Sequence, residues 1–112
     1  MDMLKYINRY EAKTGGDFVK DWDLKYYPFI FMWDTGEFMT WGYYGDYIDI
    51  GPSSVTDWKK AWDKLKVFGA ICKVKKFITH TTRNPKAYAR LTNSKFHFNK
   101  DEDQYVIEKE AD

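Results

Sequence analysis

Apolar positions along this chain switch repeatedly between helical and strand periods. In residues 3–13, Leu4, Ile7 and then Tyr10 or Glu11 stand at helical spacing, with Asp2 as a candidate N-cap and Gly15-Gly16 as a stop, which predicts a short amphipathic helix. Residues 17–25 are charged, with Phe18 and Trp22 four apart, and predict a further helical turn ahead of a sheet. Residues 26–33, Tyr-Tyr-Pro-Phe-Ile-Phe-Met-Trp, form an unbroken apolar run that reads as a strand buried on both faces, with Pro28 near its start, where a missing N–H is tolerated. Asp34-Thr35-Gly36-Glu37 reads as a hairpin turn in which Gly36 takes a positive φ. Residues 38–44 are the antiparallel partner, Gly45-Asp46 breaks the run, and residues 47–50 make a third strand.

After Gly51-Pro52 the period becomes helical. Trp58, Ala61, Trp62, Leu65, Phe68, Gly69 and Cys72 form one stripe while lysines and Asp63 fill the other face, so a helix is expected over residues 56–72, capped by Ser54 or Thr56 with Asp57 in its first turn. Residues 77–82 are a fourth strand. Asn84 and Pro85 open another helix, Asn as cap and Pro in the first turn, with Ala87, Tyr88 and Leu91 as its packing face. Residues 95–98 and 105–107 alternate as closing strands around a polar turn at residues 100–104. The expected fold class is therefore α+β: one domain, residues 1–112, with a mainly antiparallel central sheet, flanking helices and the order helix-β-β-β-α-β-α-β-β.

Composition narrows the chemistry. The chain has 112 residues, 20% aromatic, with five Trp, nine Tyr and eight Phe. Rings supply large buried area in a small domain, and a surplus can form a contact surface. Trp33, Phe38, Trp41, Tyr43 and Tyr44 on the meander are candidates for a symmetric contact between two copies, because alternate strand residues face opposite sides. Net charge is +1, so nucleic acid is not an expected partner, although Lys73, Lys75, Lys76, Arg83, Lys86 and Arg90 form one basic region. Cys72 is the sole cysteine and His80 and His97 the sole histidines, too few for a Cys/His zinc site, and no metal is expected. No apolar run reaches the ~20 residues that span a bilayer, and no secretory signal opens the sequence, so no membrane is expected and the setting expected is the cytoplasm.

Chemistry-bearing residues are sparse. Asp46 and Asp49 flank the third strand, where a carboxylate could take a proton from an amine. His80, between Thr79 and Thr81, can titrate near neutrality.

The element order, together with Thr82-Arg83-Asn84-Pro85-Lys86-Ala87-Tyr88-Ala89-Arg90-Leu91, resembles the GNAT superfamily of N-acetyltransferases, most nearly the small GNAT-like proteins of tailed bacteriophages. The resemblance implies acetyl-CoA lying between two splayed strands, with its pyrophosphate at the helix start after the meander. That turn corresponds to Gly51-Pro52-Ser53-Ser54-Val55-Thr56, in which Gly51, Ser53 and Ser54 keep the family's small residues but no basic side chain appears. Asn84 and Ala87 match the family's Asn-x-x-Ala, whereas Leu91 stands where the enzymes place a proton-donating Tyr, and Lys95 replaces a Gly ahead of the matching Phe96. The resemblance thus implies cofactor contacts at Gly51, Ser53, Ser54, Val55, Thr56, Asn84 and Ala87. Two functions follow from it: a non-catalytic binding protein of phage type, acting in the host cytoplasm on a host or virion protein, or an acetyl-CoA-dependent N-acetyltransferase acting on an amine of a small molecule or protein.

Overall fold

A computed structural model describes residues 3–111. The candidate cap Asp2 lies outside them. Two helices come first, α1 (Met3–Thr14) and the single-turn α2 (Phe18–Asp21), followed by strands β1 (Phe29–Met32), β2 (Phe38–Tyr43) and β3 (Tyr47–Ser54). Helix α3 (Trp58–Cys72), β4 (Lys76–Thr81), α4 (Lys86–Thr92), β5 (Lys95–Asn99) and β6 (Gln104–Glu110) complete the chain. The fold is α+β. Its six strands form one sheet in the order β1-β2-β3-β4-β6-β5, antiparallel throughout except for the parallel pair β3/β4.

Each face of the sheet has its own core. Met39, Trp41, Ile48, Ile50 and Phe77 pack against Ala61 and Leu65 of α3, with Trp58, Trp62 and Phe68 partly buried beside them. The apolar stripe of α3 therefore faces the sheet as its period requires. At Gly69 helix and sheet come so close that a Cβ would stand 2.6 Å from the Phe77 ring. On the opposite face Phe38 meets Tyr6, Tyr10 and Phe18 from α1 and α2. The buried side of α1 is Tyr6 and Tyr10, whereas Leu4, expected on the stripe, is exposed. Helix α1 also clasps the β1–β2 hairpin: Tyr6 Oη donates to the Trp33 carbonyl (2.8 Å), Lys5 Nζ to that of Asp34 and Arg9 to that of Thr35. Gly36 in that turn has φ +93°, as its position demands.

Four rings of the meander, Phe31, Trp33, Phe38 and Trp41, serve these cores. Phe38 and Trp41 are buried and Trp33 is half-buried, which leaves Tyr43 and Tyr44 exposed among the five residues expected at a symmetric contact.

Candidate functional site

Strands β3 and β4 run side by side only from Tyr47–Ile50 to Lys76–Thr79. Past that point each strand keeps only its other neighbour: β3 stays with β2, pairing Ser53 with Met39 and Ser54 with Phe38, while β4 stays with β6, pairing His80 with Val106 and Thr81 with Tyr105. Thr79 Oγ1 donates to the Ile50 carbonyl (3.0 Å) at the last paired position. Next to this divergence, on the α3 face, lies a cavity of about 570 Å³. The sheet contributes Ile50, Phe77 and Thr79 to it, α3 contributes Trp58, Trp62 and Leu65, and α4 contributes Tyr88 and Leu91. Tyr88 meets Trp58 edge to face, with centroids 4.9 Å apart, and burial pushes its phenol above the ordinary value, so it stays protonated. Lys109 Nζ lies 4.7 Å from the centre of the Trp62 ring. The volume falls within the range of small-molecule sites.

The start of α3, beside this cavity, is already filled. Residues 51–54 are not a turn but the second half of β3, and the helix begins at Trp58 with Asp57, rather than Ser54 or Thr56, as its cap. Asp57 Oδ1 accepts from Lys59 N (3.1 Å) and Lys60 N (3.3 Å). Glu37, 3% exposed, reaches in from the hairpin: its Oε2 accepts from Thr56 N (3.0 Å) and Asp57 N (3.3 Å), and its Oε1 from Lys60 Nζ and Thr35 Oγ1, both at 2.8 Å. Burial alone would raise the Glu37 carboxyl, but the Lys60 ammonium and the converging donors outweigh it and hold the group far below the usual carboxylate range. Four amides at the anion-receptive end of α3 thus have carboxylate acceptors within the chain.

Opposite this cavity, on the other face of the sheet, is a second polar group. Asp49 alternates with the core residues Ile48 and Ile50, and His80 with Phe77 and Thr79, so both point away from α3. His80 Nδ1 stands 3.5 Å from Asp49 Oδ1, and Nε2 3.8 Å from Glu102 Oε2. The Asp49 carboxylate raises the imidazole above its ordinary 6.5; burial opposes that, and the Glu102 charge adds to it. Asp49 Oδ1 is buried and has no hydrogen-bond partner among the described residues, 3.5 Å being an ion-pair distance at the limit of hydrogen bonding. Beside this pair the Tyr27 ring packs over Gly51, where a Cβ would lie 2.5 Å from it.

Of the residues that the resemblance assigned to cofactor, Thr56 alone lines the cavity. Gly51 underlies Tyr27, the Ser53 hydroxyl donates to the Gly51 carbonyl, and Ser54 and Val55 are buried. Asn84 is exposed and is not the cap: Pro85 takes that position without a side-chain bond, and the Asn84 side chain accepts from Lys86 N (3.0 Å) in a turn just ahead of α4, while Ala87 is exposed rather than packed. Asp46 is an exposed turn residue whose carbonyl accepts from Lys75 N, whereas Asp49 belongs to the pair with His80. Among the described residues no group of three or more His, Cys, Asp and Glu is disposed to hold a metal ion, and no helix is long and apolar enough to cross a membrane.

Two contributors were missed. Glu37 read as an ordinary turn residue, because its partners at Thr56, Asp57 and Lys60 lie about twenty positions downstream and carry no local mark. Lys109 lies past the expected closing strand at residues 105–107 and had no signal; β6 continues to Glu110 and carries it. Comparison with protein-family models, with curated proteins and with solved structures finds no match to this chain.

Proposed function

We propose that this chain is a phage-type, non-catalytic binding protein on an acetyltransferase-like scaffold, acting on a host or virion protein. The observation that carries the reading is the occupied start of α3. If the resemblance to the GNAT superfamily holds, a cofactor pyrophosphate would need the amides that Glu37 and Asp57 already bond, and two carboxylates there would repel it. Leu91, where those enzymes carry a proton donor, supports the same reading. A contact surface is at hand in the exposed rings of Tyr26, Phe29 and Tyr43, Phe29 being stacked on Trp41 with centroids 4.5 Å apart.

The test is titration calorimetry with acetyl-CoA. The expected result is no binding at millimolar cofactor and no rise in melting temperature, since a ligand that binds only the folded chain must raise it. Submillimolar binding sinks the reading. A Tyr26→Ser, Tyr43→Ser double variant should keep the melting transition and lose the partner captured by the wild-type chain.

The second reading, acetyl-CoA-dependent N-acetyl transfer to an amine of a small molecule or protein, rests on the Asp49–His80 pair. An imidazole backed by a carboxylate can accept an amine proton where β3 and β4 diverge, and Tyr88, protonated in the cavity across the sheet, could supply one to a departing thiolate. Cofactor binding together with turnover lost in His80→Gln would select it.

A further inference from the structure

Strand β5 ends the sheet and is bonded on one side only, to β6. Its residues Lys95, Phe96, His97 and Phe98 are exposed, its register with β6 is unbroken, and it contains no proline. An edge of this kind presents unpaired N–H and C=O groups to any strand that approaches, and bulges and prolines are among the common means of blocking it. Phe96 and Phe98 share one face and both meet Tyr105 edge to face, with centroids 6.2 and 5.1 Å away, so three rings stand ready at the edge. Phe96 is 40% exposed and Phe98 46%.

We infer that β5 pairs antiparallel with β5 of a second copy about a twofold axis at His97. The strand reads polar-Phe-His-Phe-polar, the same in either direction. With the axis on His97, Phe96 of each copy faces Phe98 of the other, Lys95 faces Asn99, and Lys100 faces Ser94, so no like charges stand opposite one another. Moving the axis to Phe98 sets Lys100 against Phe96, and moving it to Phe96 sets Lys95 against His97. A self-complementary strand is what an isologous contact needs, and the two six-stranded sheets become one continuous sheet. The cross-strand Phe pairs and the edge amides together give the contact its affinity and its register.

The axis residue tests this directly. In a Cys72→Ser background, His97→Cys sets the new thiol opposite its copy, within the ~4.4–6.8 Å between Cα atoms that a disulfide allows. Asn99→Cys sets the two thiols four residues apart along the strand, roughly 14 Å. Mild oxidation should link the His97→Cys chain and leave the Asn99→Cys chain free. Light scattering should give a dimer mass for the wild type and a monomer mass for Phe98→Lys, the latter with its secondary structure intact. A monomeric wild type at the highest soluble concentration overturns the inference. So does a dimer in which His97→Cys fails to cross-link or Asn99→Cys links as readily.

Discussion

Two carboxylates from the meander leave bulk water, and they do so on opposite terms. Glu37 is nearly inaccessible, yet two backbone amides, a hydroxyl and an ammonium converge on it. The Asp49 side chain is 15% exposed, and its Oδ1 has no hydrogen-bond partner among the described residues, the His80 imidazole standing at ion-pair distance. A buried carboxylate is stable in proportion to the donors it finds, so Glu37 is a fixed part of the frame, whereas Asp49 retains capacity to bind. Saturation, not depth, separates the structural acid from the available one.

Removing Glu37 should have the largest effect. Glu37→Ala strands two amides at the start of α3 and the partly exposed Lys60, and should lower stability by about 2–4 kcal/mol in urea denaturation. A loss under about 0.5 kcal/mol, the size of an ordinary surface change, would erase the contrast. The acid limb sharpens it. The folded carboxyl lies below its ordinary 4.5, so its contribution is present above that pH and fades as pH falls below it. Glu37→Gln should flatten that slope.

An intermediate effect is expected at Gly51, on the side of Asp49. A methyl group there meets the Tyr27 ring, and Gly51→Ala should cost about 1–3 kcal/mol as an overpacked contact. Ser53→Ala, which loses one hydroxyl donated to a nearby carbonyl, should cost about 0.5 kcal/mol or less. Equal melting temperatures for the two variants would mean that Tyr27 yields without cost.

The stretch around Gly51 also shows where the sequence could be read and where it could not. Helix α3, the Gly36 hairpin and the closing strands were legible because their signals are local: a period, a turn glycine, an alternation. The second half of β3 was not, because Pro52 reads as the end of a strand. Pro52 is tolerated since the register between β2 and β3 shifts between Met39 and Trp41, a bulge that sets Thr40 against Gly51 and Pro52, and β4 has by then turned away, so no ladder needs its missing N–H. The Thr40 hydroxyl donates to the Pro52 carbonyl (2.7 Å) and closes the irregularity. The reach of Glu37 to α3 and the meeting of Asp49 with His80 are products of sheet pairing, which no single window of sequence displays. The residues of the expected cofactor turn were right in type for a helix start, but the helix starts later.

The smallest effect is the one that tests Asp49 most directly. If its carboxylate sustains His80, the imidazole should titrate above 6.5 in nuclear magnetic resonance spectra of the wild type and lower in Asp49→Asn. The sign follows from linkage: a group whose folded value is raised adds stability that is complete below 6.5 and is lost as pH rises through the folded value. Wild-type melting temperature should therefore slip across that window, by the equivalent of about 1 kcal/mol or less for a partly exposed pair, while Asp49→Asn stays level. Glu102→Gln should shift His80 less, its carboxylate being 3.8 Å away and 57% exposed. Glu37→Gln should leave the His80 titration where it is, because Glu37 spends its charge at α3. An unchanged His80 titration in Asp49→Asn would show that the unpartnered carboxylate holds no proton in place, and with it the difference between the two acids would be one of packing alone.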